Sequence, residues 1–209
     1  MSAERNHIKI FVSSTVYDFE TDLRRIFATL DGFGYDVYMS REGTIPLNSR
    51  FSNAINCVNA VDECDIFFGI VRPLIGSGVL EKGGRSITAQ EFDRAIELGM
   101  LRYVLADYRV EFAHNFLNLM KIDLESIPLN KEKTIVDENG NNAVILKPNN
   151  LIHGECVEIY RNVIQNHIHP ASARIGNWAQ PYKDGEDIQR FIEAQFKDVE
   201  RIKTYLYGK

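Results

Sequence analysis

From its amino end the chain alternates short β-branched and aromatic runs with longer stretches in which apolar residues return every three or four positions. Residues 7–13 (HIKIFVS) put Ile8, Ile10 and Val12 on one face, the period of a strand. Residues 16–32 carry Phe19, Leu23, Ile26, Phe27 and Leu30 at helical spacing, with Ser14 or Thr15 to cap the start and Gly32 and Gly34 to end it. Residues 35–39 predict a second strand. Residues 50–61 predict a helix with Phe51, Ala54, Ile55 and Val58 on one face. The run 65–71 (DIFFGIV) is almost wholly apolar, as a strand buried on both sides of a parallel sheet must be. A glycine-bearing stretch, 72–85, then leads into a helix over 88–98, and 102–106 (RYVLA) predicts a fourth strand.

The order β-α-β-α-β-α-β implies a parallel sheet with right-handed crossovers and helices on both faces, a three-layer α/β domain over residues 1–108. Ligands of such sheets bind beyond the carboxyl ends of the strands. The segments leaving those ends are 13–18, 40–49, 72–85 and the stretch after 106. Residues 109–209 read as a mostly helical extension packed on the first part. It has a helix over 110–120 and a β-hairpin over 133–147 around Asn139-Gly140. A helix over 154–167 carries Cys156, Ile159, Tyr160 and Val163 on one side, a loop covers 177–182, and one long helix spans 184–207.

Composition narrows the function. The formal net charge of −5 argues against a general grip on nucleic acid, which needs a basic face. No apolar run approaches the roughly 18 residues of a membrane span, and the start lacks a signal-peptide pattern. The expectation is a cytoplasmic protein that binds neither nucleic acid nor membrane. Cys57, Cys64 and Cys156 sit in apolar contexts without C-x-x-C spacing, which predicts reduced thiols and no zinc site. His167 and His169, two apart, do not share a helix face, so no metal site is expected there.

Candidate chemistry gathers at the predicted strand ends. Ser13, Ser14 and Thr15 offer three hydroxyls that can hold phosphate or ribose, or that simply cap a helix. The 72–85 loop supplies Arg72, Gly76 and Arg85, with Ser86 beside it. Its arginines suit phosphate or carboxylate, but its glycines match neither G-x-G-x-x-G nor a P-loop. Asp18 and Arg41 lie near the same rim. Glu91 admits two readings. Thr88-Ala89-Gln90-Glu91 fits a capping box, in which the glutamate turns back to the Thr88 amide. Alternatively the carboxylate faces the cleft, where it would bind a ribose hydroxyl or stabilise an oxocarbenium-like centre.

Three stretches together, IFVSSTVYDFETDLRRIF, CDIFFGIV followed by Arg-Pro-Leu-Ile-Gly, and RSITAQEFDRAIELG, resemble an uncharacterised family of TIR-like domains of F-V-S-S-T…S-I-T-x-x-E-F type. The resemblance covers about residues 8–107 and extends to TIR domains and nucleoside 2-deoxyribosyltransferases. It implies a flavodoxin-like parallel sheet and cleavage of an N-glycosidic bond, with NAD as substrate and no separate cofactor. Glu91 matches the glutamate such enzymes use, and Ser13 and Ser14 match the loop lining the nucleotide pocket. Arg72-Pro73-Leu74-Ile75-Gly76 stands where the family has R-Y-G, so the aromatic that could stack on a base is missing there. The implied setting is bacterial stress or antiphage defence, with a homo-oligomer or a partner defence protein completing the site. Two alternatives stay open: a non-enzymatic nucleotide-signal sensor or protein-interaction module, and a deoxyribosyltransferase with Glu91 as nucleophile.

Overall fold

The computed structural model describes residues 7–74, 84–122, 133–136, 142–146 and 154–208. Gly76, its loop neighbours Gly78 and Gly83, and the Asn139-Gly140 turn lie outside the described residues.

Five parallel strands form the main sheet: β1 (Lys9–Ser14), β2 (Asp36–Tyr38), β3 (Ile66–Val71), β4 (Leu101–Asp107) and β7 (Gln180–Tyr182). Their spatial order is β2-β1-β3-β4-β7, the flavodoxin-like doubly wound order, whose direction of winding reverses between β1 and β3. A separate antiparallel hairpin pairs β5 (Lys133–Val136) with β6 (Asn142–Leu146), as the sequence predicts. The helices are α1 (Glu20–Gly32), α2 (Asn53–Asp62), α3 (Ile87–Glu97), α4 (Tyr108–Leu119), α5 (Gly154–Ile164), α6 (Gly185–Phe196) and α7 (Val199–Tyr207).

Strand alternation sorts the core into two layers. Ile10 and Val12 of β1 and Phe68 and Ile70 of β3 pack with Leu23, Ile26 and Leu30 of α1 and with Phe191, Ile192, Phe196 and Ile202 of α6 and α7. Phe11, Phe67 and Val71 point the other way, among Cys57 and Val61 of α2, Phe92 and Ala95 of α3 and Cys156, Ile159 and Tyr160 of α5. All six residues of β3 are buried, which is why its sequence is continuously apolar and does not alternate.

Several expectations change at the level of packing. The 177–182 segment contains a strand: Leu105, Ala106 and Asp107 pair with Gln180, Pro181 and Tyr182. Proline is tolerated because this is the sheet's edge. The α/β layers therefore do not end at residue 108, since 180–207 supplies the fifth strand and two helices of one face. The long C-terminal helix is two helices, because Asp198 leaves helical geometry and its carboxylate caps α7 by accepting from Arg201 N at 3.0 Å. The inward face of α2 is Ala54, Asn56, Cys57, Ala60 and Val61, while Phe51 and Ile55 are exposed. Asn56 is the reason for the different phase: its side chain bonds Asn48 on both donor and acceptor atoms and pins the preceding loop. Finally, α1 starts at Glu20, four residues later than its apolar period suggests. Neither Ser14 nor Thr15 caps it; Phe19 holds that place with no side-chain cap.

Gly69, in mid-β3, pairs with Ser13 of β1 and Val104 of β4. A Cβ there would collide with the Phe92 ring and stand 2.8 Å from Phe67 Cε1. Phe92 packs edge-on to Phe67 with ring centroids 5.0 Å apart, so the missing side chain lets α3 lie close on the sheet. Gly69→Ala is expected to destabilise the fold by about 1–3 kcal/mol through overpacking. The check is the urea midpoint, which should fall without a change in slope.

Candidate functional site

The carboxyl ends of β1 and β3 flank the point where the strand order reverses, and Glu91 comes to that point. Helix α3 begins one residue after Ser86, whose Oγ accepts from Ala89 N at 3.1 Å, while its own backbone N–H donates to Glu155 Oε1 at 2.9 Å. Ser86, not Thr88, is thus the N-cap, and the helix starts earlier than the T-x-x-E pattern implies. This moves Glu91 into the second turn, away from any capping role. Its carboxylate instead accepts from Ser13 Oγ at 2.6 Å. Both groups are buried, Ser13 at 1% and Glu91 at 5% exposure.

Burial pushes the Glu91 carboxyl up to about 7, and the Ser13 hydrogen bond opposes part of that rise. Among the described residues no cation offsets the carboxylate, and its ionisation is set by desolvation and by the Ser13 hydroxyl. Cys57, on the facing side of α2, has its thiol pushed up to about 11 by burial and then by the Glu91 charge. A carboxyl poised near neutrality and buried beside a cleft has the properties of a catalytic acid or base.

That cleft measures about 310 Å³ and is lined by Val12, Ser14, Thr15, Val16, Tyr17, Ser40, Asn53, Cys57, Ile87, Thr88 and Glu91. Thr15 Oγ1 is buried with no hydrogen-bond partner among the described residues. The unused β1–α1 cap explains it: once α1 starts at Glu20, the hydroxyl has no backbone N–H to accept from. Ser14 Oγ donates to Thr15 O at 3.2 Å. Ser40, Asn53 and Thr88 add polar side chains, and Tyr17 stands half exposed at the edge.

The structure brings Ser13, Ser14, Thr15 and Glu91 together, and the other described sequence candidates are not among the cleft's lining residues. Arg72 is buried beneath the β1–α1 loop. Its guanidinium donates to Thr15 O at 3.4 Å and to Tyr17 O, and lies 4.5 Å from the Phe19 ring centre. It shapes the loop from below, with Nη1 donating to backbone carbonyls. Arg85 is held by Asp93 of α3 at 2.9 Å and by Glu158 of α5. Ser86 is spent on capping. Asp18 is exposed in a left-handed turn with φ 53°. Arg41 is exposed on a single 3-10 turn, Ser40–Glu42, and only its neighbour Ser40 reaches the cleft. Gly76 lies outside the described residues. Tyr17 and Ser40 belong to strand-end segments the sequence already marks. Asn53 and Cys57 carry no local signal, because only the docking of α2 brings them to the cleft wall.

Among the described residues no group of His, Cys, Asp or Glu could hold a metal ion, and no helix is long and apolar enough to cross a membrane. Fold and cleft together define a doubly wound α/β protein with a polar cleft and one buried carboxyl at the switch point. The chain belongs to the family described as "Domain of unknown function (DUF4062)", which it matches over residues 9–133. A comparison with curated proteins finds no match.

The folded chain holds the Glu91 proton more tightly than the unfolded chain, whose value is near 4.5. Stability contributed by this group is therefore complete below that value, falls as pH rises through about 7, and levels off above it. Glu91→Gln keeps a neutral group in place. It is expected to match wild type near pH 4.5 and to be more stable at pH 8, by up to about 3 kcal/mol. Urea midpoints of both proteins measured across this range check it; equal midpoints at pH 8 would contradict the buried, uncompensated carboxylate.

Proposed function

We propose that this chain is a TIR-like effector that cleaves an N-glycosidic bond of a nucleotide-class substrate, with NAD first among the candidates. The observation that carries the reading is the buried Glu91–Ser13 pair opening on a hydroxyl-lined cleft at the switch point of the sheet. Breaking a sugar–base bond develops positive charge on the sugar, and a desolvated carboxylate at that place stabilises it strongly. Ser13 holds the carboxylate in position, while Ser14, Thr15, Ser40, Asn53 and Thr88 supply donors and acceptors for ribose hydroxyls. The cleft volume of about 310 Å³ falls at the lower end of ligand-site sizes and suits a nucleoside moiety. Tyr17 at its edge offers an aromatic face that the Arg72–Gly76 segment lacks.

The test is incubation of the protein with NAD and, separately, with nucleosides and deoxynucleosides, read for released nicotinamide or free base. Wild type should release one of them, at a rate that rises with pH through about 7 as Glu91 ionises. Glu91→Gln should lose ~100-fold or more of that rate. No turnover with any of these substrates sinks the reading, and so does full activity in the variant.

A second reading, an interaction module that pairs with another copy of itself, is favoured by the outer face of α4. Tyr108, Phe112, Phe116 and Leu119 are exposed on one helical stripe, and the Phe112 and Phe116 rings stack at 6.2 Å. Apolar side chains so grouped are better covered than left in water. Under this reading wild type elutes as a dimer or larger species in light-scattering chromatography, and Phe112→Asp with Phe116→Asp elutes as a monomer. A monomeric wild type at high concentration contradicts it.

A further inference from the structure

The edge of the sheet opposite Glu91 carries a second polar cleft. Helix α5 runs to its end at Ile164, where Gln165 accepts from Asn177 Nδ2 at 2.7 Å. Asn177 Oδ1 in turn accepts from Arg102 Nη2 at 3.2 Å, and Arg102 lies near the amino end of β4. The end of α5 is therefore tied to the amino-terminal edge of the sheet, whereas the Glu91 cleft lies at the carboxyl ends of β1 and β3. Beside it the end of α4 closes a cleft of about 240 Å³, lined by His114, Asn118, Lys121, Ile122, Arg161, Asn166 and His167. Two permanent cations, two imidazoles and two amides face this space, and among the described residues no carboxylate lines it.

The backbone holds these groups at some cost. Helix α4 ends with Lys121 in the left-handed region, φ 55°, where glycine is the usual residue. Lys121 N–H donates to Asn118 O and Ile122 N–H to Leu117 O, a paired closure that satisfies the last carbonyls of the helix. Helix α5 also ends on a left-handed residue, Gln165 at φ 46°, whose N–H donates to Arg161 O at 2.9 Å. Two strained non-glycine residues thus terminate both helices at one cleft. One of them is a lysine on its wall, and the other delivers Asn166 and His167 to it. His114 is 1% exposed, with its Nε2 3.2 Å from Asn118 Nδ2 and its ring against Tyr160. Burial holds its imidazole below the usual range, and Lys121 and Arg161 bring permanent positive charge to the lining.

We propose that this cleft is a binding site for a phosphate group, either inorganic phosphate or the phosphate of a small phosphomonoester. Lys121 and Arg161 neutralise the dianion, and the side-chain amides of Asn118 and Asn166 add hydrogen bonds, while His114 is held in the wall between Asn115 and Asn118. The volume exceeds that of phosphate alone, leaving room for a small organic portion beside Ile122.

The probe is inorganic phosphate, titrated calorimetrically into the full chain at constant ionic strength with chloride as the balancing anion. Saturable binding is expected. Lys121→Ala and Arg161→Ala should each weaken it about tenfold or more, and Glu91→Gln, on the opposite edge, should leave it unchanged. A second readout does not depend on how the variants fold: in wild type, phosphate should shift the imidazole resonances of His114 and His167. Absence of saturable binding overturns the proposal. So does binding that survives in the double variant, or binding that leaves both imidazoles unmoved. Titration with a phosphomonoester such as ribose 5-phosphate then separates the two sources by which binds more tightly.

Discussion

A carboxyl group can be buried without a cation only if the scaffold leaves it no way out, and here the scaffold's constraint is Gly69. Because β3 lacks a side chain at that point, the Phe92 ring settles onto the sheet beside Phe67, and α3 follows it down. Glu91 is the residue before Phe92, so the same approach carries its carboxylate to Ser13, which pairs with Gly69 across β1 and β3. Sheet register, aromatic packing and the Glu91–Ser13 hydrogen bond are thus one arrangement. Desolvation then raises the Glu91 pKa, a destabilising feature that an α/β core of this size can bear and that chemistry can use.

The electrostatics of the cleft follow from where the arginines went. Arg72 and Arg85 flank the site in sequence, yet each is engaged inward: one by the carbonyls of the β1–α1 loop, the other by Asp93 and Glu158. What the described wall presents to a ligand is hydroxyls, one amide, one thiol, an aromatic edge and a single carboxyl. Under the proposed function such a wall would meet sugar hydroxyls and the charge that develops during reaction. Two cationic groups, Lys121 and Arg161, line the cleft on the other edge of the sheet.

Segments far apart in the chain position the site. Glu155 of α5 accepts from the Ser86 backbone, and Glu158 from Arg85, so the entry to α3 is set by a helix some seventy residues downstream. Strand β7 and helices α6 and α7 complete one face of the sheet, with Tyr35 OH donating to Phe196 O at 2.9 Å across the layer. The residues after 108 thus help to build the structure that holds the Glu91 cleft.

By itself the sequence determined the alternation of strands and helices through residue 107, the parallel sheet with helices on both faces, and the gathering of Ser13, Ser14, Thr15 and Glu91 as one candidate group at the strand ends. These depend on periodicity and on position at strand ends, which are local quantities. It was silent or misleading where long-range contacts compete with local pattern. Thr88-x-x-Glu91 is a valid capping box in isolation, but Ser86 caps α3, with its backbone held by Glu155. No local feature announces the carbonyls that Arg72 meets or the carboxylates that Arg85 meets. The 177–182 strand was hidden by its proline, acceptable only because tertiary packing puts it at an edge. A one-residue shift in the phase of α2, enforced by Asn56, turned Cys57 inward and Ile55 outward. In each case a buried polar group had to find its partner, and only the folded chain shows which partner was within reach.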